Sequence, residues 1–61
     1  MNSRLDHIIN LSDKLKREAT LARVGLEYSY EDDNGELVLP AGTSAHVHAT
    51  KSLLTELANL A

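Results

Sequence analysis

Residues 24–40 read VGLEYSYEDDNGELVLP. Val24, Leu26, Tyr28 and Tyr30 alternate with Gly25, Glu27 and Ser29, a period of two that gives one apolar and one small or polar face. Asn34-Gly35 is the strongest short signal for a chain reversal, because a type I′ turn needs positive φ at both central residues. A two-residue turn there sets Tyr30 opposite Leu39, whereas a four-residue loop from Asp32 to Gly35 sets Tyr30 opposite Leu37. Either register keeps Leu26, Tyr28, Tyr30, Leu37 and Leu39 on one face. Pro40 has no N–H to give a ladder and ends the second strand. The stretch therefore predicts a β-hairpin over residues 24–40.

On its N-terminal side the period changes to that of a helix, over residues 3–23. Asn2 or Ser3 can cap it, with Asp6 in the first turn. Leu5, Ile8, Ile9, Leu11, Leu15, Ala19 and Ala22 form one stripe at about 100° per residue. Ser12 lies within the stripe and permits close approach, and Arg4 snorkels at its edge. Asp13–Arg17 and Lys14–Glu18 have the spacing of i,i+4 ion pairs. Leu21 projects away from the stripe and marks a second contact surface. The link from helix to strand is short, so the hairpin is expected to fold back on the helix.

On the C-terminal side Ala41-Gly42 turns the chain, and Thr43 or Ser44 caps a second helix over residues 43–60. Val47, Leu53, Leu54, Leu57, Ala58 and Leu60 form its stripe. The expected fold class is α+β. It is a small α-β-β-α unit with an N-terminal helix, a two-stranded antiparallel hairpin and a C-terminal helix, all in a single domain, residues 1–61.

Size sets the next expectation. A chain of 61 residues with no Phe, no Trp and no Cys has a thin core and no disulfide. Two-stranded hairpins are marginal alone, and scaffolds this small commonly need a metal, a disulfide or a partner chain. Completion of the fold by homodimerisation is the expected remedy, through an isologous interface.

Composition narrows the function. Nine acids against six bases give a net charge of −3, without the strong basic face of a typical nucleic-acid binder. No apolar run reaches the ~18–20 residues of a membrane span. The N-terminus has no apolar core of a signal peptide, so a cytoplasmic, intracellular location is expected.

Chemical motifs are sparse. His46-Val47-His48 has ligand-type residues, but on a helix i and i+2 point about 200° apart and cannot share one ion. The run EDDNGE at 31–36 departs from the acid spacing of a calcium loop and reads as a solvated tip. The serines lack a nucleophile context such as G-x-S-x-G. Neither enzyme activity nor a cofactor is expected.

The predicted function is a non-enzymatic protein-interaction module: a homodimeric regulator, adaptor or inhibitor that acts by binding a protein. Leu21, Asp32, Asp33 and Glu36 are its candidate contacts. The alternative is a small transcriptional regulator that binds DNA through the first helix, with Lys14 and Arg17 on the phosphates.

Overall fold

The computed structural model describes residues 3–60. Its order is α1 (Ser3–Glu27), β1 (Tyr30–Glu31), β2 (Leu37–Val38) and α2 (Thr43–Leu60), two helices flanking a two-stranded antiparallel hairpin. Asn2, one of the two candidate caps, lies outside the described residues.

The helices run antiparallel against each other. The Arg4 guanidinium, near the start of α1, donates to the Leu60 carbonyl at the end of α2. Near the other end Gly25 meets Thr43. Residues withdrawn from solvent on α1 include Ile8, Leu11, Leu15, Glu18, Ala22 and Gly25. On α2 they include Thr43, His46, Thr50, Leu53, Leu57 and Leu60. Both series alternate steps of three and four, the spacing of a two-stranded coiled-coil seam. The half of the seam near the chain termini is aliphatic. The half near the hairpin is small and polar.

This seam is narrower than the stripes expected from the sequence. Leu5 and Ile9 were assigned to the core stripe of the first helix and Leu54 to that of the second, yet all three are exposed. A single partner helix covers only the a/d row, so residues on its flank stay in water. Ser12, expected at a close approach, is exposed and donates its hydroxyl to the Ile8 carbonyl. The close approach is instead at Gly25, where a Cβ would collide with Thr43 Oγ1 and stand 2.9 Å from Thr43 Cβ. Thr43 itself is 3% exposed.

That contact accounts for the main boundary difference. α1 runs four residues beyond the expected end at Arg23 and takes in Val24, Gly25, Leu26 and Glu27. The alternation in 24–30 is also compatible with a helix, and seam packing at Ala22 and Gly25 decides between the two. The helix closes at Ser29, whose N–H and hydroxyl both reach the Leu26 carbonyl. At the far side Gly42 has φ +87° and its carbonyl accepts the His46 N–H, the first bond of α2. Gly42, not Thr43 or Ser44, therefore occupies the cap position.

The hairpin register also differs from both expected ones. Tyr30 pairs with Val38 and Glu31 with Leu37, one residue out of step with either. Asn34 does not have positive φ, so the turn is not type I′. Gly35 N–H bonds to the Asp32 carbonyl and Gly35 alone in the loop has positive φ, +79°. This is a type I turn followed by a left-handed glycine, the three-residue hairpin loop. The Asp32 carboxylate selects it by accepting the N–H groups of Asn34 and Glu36, both at 2.9 Å. The one-residue slip splits the expected apolar face, since Tyr30 now sides with Val38 and Leu37 with Glu31.

Nor does the hairpin fold back. Neither strand packs on a helix. The molecule is a rod of 56 × 17 × 13 Å. α1 alone accounts for about 37 Å of that length at 1.5 Å per residue. The turn therefore depends on its own hydrogen bonds. Asp32→Ala is expected to disorder residues 30–38 while leaving the helical melt within about 0.5 kcal/mol of the parent. Backbone amide relaxation, read beside far-UV circular dichroism, checks both halves of that expectation.

Candidate functional site

Beside the seam, the helices leave a shallow apolar groove of 530 Å³ near the hairpin end. It is lined by Ala19, Ala22, Val47 and Thr50, which are buried or half-buried, and by the exposed Arg23, Leu26, Glu27 and Lys51. The small side chains at 19 and 22 make the depression. The Thr50 hydroxyl donates to the His46 carbonyl, so it offers no free donor to the floor.

The same side of the rod continues to the other end. Leu5, Ser12, Ala19 and Leu26 are spaced by seven on α1, as are Val47 and Leu54 on α2, which keeps each series on one side of its helix. Leu5, Ile9 and Leu54 stand out there, the last two 57% and 52% exposed. One face of the helical hairpin thus carries projecting Leu5, Ile9 and Leu54 towards one end and, at the other, a hollow walled by half-exposed Leu26.

The seam behind the groove holds a polar pair. His46 Nδ1 lies 2.6 Å from Glu18 Oε2, with both side chains largely covered. The carboxylate accepts, so the ring carries its proton on Nδ1 in this contact. Glu18 was expected to pair with Lys14 along α1, but it turns inward because a partner on α2 lies within reach. His48 is exposed on the outside of α2. Among the described residues no three His, Cys, Asp or Glu side chains gather as a metal site. No described helix is long and apolar enough to cross a membrane.

The candidate contacts named from sequence fall in different places. Leu21 is exposed on the flank of α1 opposite the groove, in the heptad row of His7 and Lys14. Asp33 and Glu36 are exposed at the hairpin tip, whereas Asp32 is half-buried in its own turn. Leu21 and the acidic tip do not form one patch. Lys14 and Arg17 lie exposed on the Leu21 side, and Lys16 and Arg23 lie on the groove side. The bases of α1 are therefore divided between its flanks.

The groove was not among the sequence-derived sites. Its signal was available as small Ala22 and Ala19, one and two turns before Leu26, but it required the antiparallel partner helix to supply the second wall. Comparison with protein-family models, with curated proteins and with solved structures finds no match for this chain.

Proposed function

We propose that this chain is a protein-interaction module whose activity is binding, working as a homodimer that presents its hairpin to a second protein. The observation behind this reading is the balance of buried and exposed apolar side chains. Leu11 and Ala22 are the only buried hydrophobic residues among those described. Leu5, Ile9, Leu21, Val24, Leu26, Tyr28, Tyr30, Leu37 and Leu54 are large and exposed. Exposed apolar surface on this scale is the mark of an interaction site.

The charge layout supports a division of labour. Glu27, Glu31, Asp32, Asp33 and Glu36 are the charged residues between Val24 and Thr50, and no Lys or Arg lies among them. The projecting hairpin is thus acidic, with Tyr28 at its base 73% exposed. Aromatic rings rimmed by acids suit a basic, partly apolar protein surface, with the charges steering the encounter.

Two measurements test this. Light scattering on the purified chain should return twice the 6.7 kDa chain mass. Affinity capture from the source cell should then retain a protein on the parent and lose it on Asp33→Lys with Glu36→Lys, with the helical melt unchanged. A monomer that melts cooperatively and captures nothing sinks the reading.

A further inference from the structure

We infer that the second copy docks on the grooved face of α1 and α2, antiparallel, so that the projecting aliphatics of each chain fill the groove of the other. The inference rests on the homodimer reading above and assigns it a surface and an orientation.

The face is self-complementary. A two-fold axis crossing it at right angles to the helices, near its middle, exchanges the two ends. Ile9 and Leu54 of one copy then stand over Ala19, Ala22 and Leu26 of the other, and the reverse contact follows from symmetry. A parallel arrangement would set groove against groove and leave both empty. Polarity agrees with burial. The hydroxyls of Ser12 and Thr50 on this side bond to carbonyls of their own helices. Lys16, Arg23 and Lys51 sit at its margins with stems long enough to keep their charges in water. The opposite flank carries His7, Lys14, Arg17 and Glu56 beside Leu21 and Val24, which are 43% and 40% exposed, against 55%, 57%, 49% and 52% for Leu5, Ile9, Leu26 and Leu54 on the grooved side.

The area fits as well. The chain exposes 4824 Å². A compact protein of the same mass exposes about 3,900 Å² by the usual scaling with mass. The excess is about 900 Å², shared between the projecting hairpin and the open helix flanks, and it is of the order of the ~800 Å² that each partner contributes to a standard stable interface. The product is a four-helix bundle with an acidic hairpin at each end, so both arms remain free to bind.

The chain has no cysteine, so introduced ones are unique. The test uses three variants, Ile9→Cys, Leu26→Cys and the double variant, treated with a short bismaleimide. Within one helix positions 9 and 26 are about 25 Å apart and cannot be bridged. The antiparallel dimer predicts a covalent dimer from the double variant at least about tenfold above either single variant. Cross-linking of the single variants to the same extent overturns the orientation. No cross-linking from any variant of a chain that remains dimeric overturns the face, while leaving the homodimer reading intact. A parent chain that is monomeric by light scattering overturns both. As a second arm, Ile9→Asp with Leu54→Asp should convert the dimer to monomer, and Leu21→Asp should not. Persistence of the dimer in the Ile9/Leu54 variant counts against the face.

Discussion

Leu11→Ala is expected to reduce stability by about 3 kcal/mol and Tm by about 10–20 °C. Leu11 is 4% exposed and, among the described residues, is the one large hydrophobic side chain that the two helices bury outright. Truncating a buried leucine removes its transfer free energy and leaves a cavity that only partly collapses. A domain of 61 residues has roughly 3–9 kcal/mol in total at the usual 0.05–0.15 kcal/mol per residue. The loss is therefore a large share of the whole, and a fraction of the chain should be unfolded at room temperature. Urea titration at fixed protein concentration measures it, with concentration held because dimerisation shifts apparent stability. Leu21→Ala is the matched control and should change stability by no more than about 0.5 kcal/mol. A Leu11 effect as small as that of Leu21 would remove the seam from the centre of the structure.

Gly25→Ala should destabilise although alanine is the better helix former. In an open helix the substitution gains about 1 kcal/mol. Here the new Cβ collides with Thr43 Oγ1 and meets Cγ2 at 2.6 Å and Cβ at 2.9 Å. Rotation about χ1 can relieve the first two contacts but not the third, so the helices themselves must separate. Overpacking of this kind costs about 1–3 kcal/mol. The expected net loss is up to about 2 kcal/mol, or up to about 15 °C in Tm, and Gly25→Leu should prevent the helices from closing at this end. Thr43→Ala in the Gly25→Ala background should recover part of the loss, since it removes two of the three colliding atoms. Gly35→Ala makes a useful contrast. Nothing lies within 4 Å of a Cβ there, but φ is +79°, so the strain is in the backbone and confined to the turn. A stabilising Gly25→Ala would show that this end of the seam is open in solution.

The limits of the sequence reading can be traced residue by residue. Two helices, one hairpin and their order follow from a change of period on each side of a turn signal, which is local information. At two places local signals of equal strength compete. Val24 to Tyr30 alternates well enough for a strand, yet Ala22 and Gly25 also fall on a helical seam. Only the contact with Thr43 makes the helical choice the lower in free energy. Asn34-Gly35 suits a type I′ turn, yet Asp32 bonds the N–H groups of Asn34 and Glu36 and draws the chain into a longer loop. That competition is between a backbone preference and a side-chain hydrogen bond, and spacing alone does not rank them.

The candidate surface divides in the same way. Exposure of Leu21, Asp33 and Glu36 was legible, because residues off the apolar stripe face water. The groove was not, because each of its walls is an unremarkable helix flank until the other stands beside it.

What the sequence determined by itself is the set of elements and the shortage of core: periodicity, turn chemistry and the count of apolar side chains are properties of the chain alone. What only the tertiary structure decided is where each element stops and which apolar residues stay in water. Helix on helix buries a row two residues wide per heptad, and that geometric limit leaves Leu5, Ile9, Leu26 and Leu54 outside the seam however apolar they are.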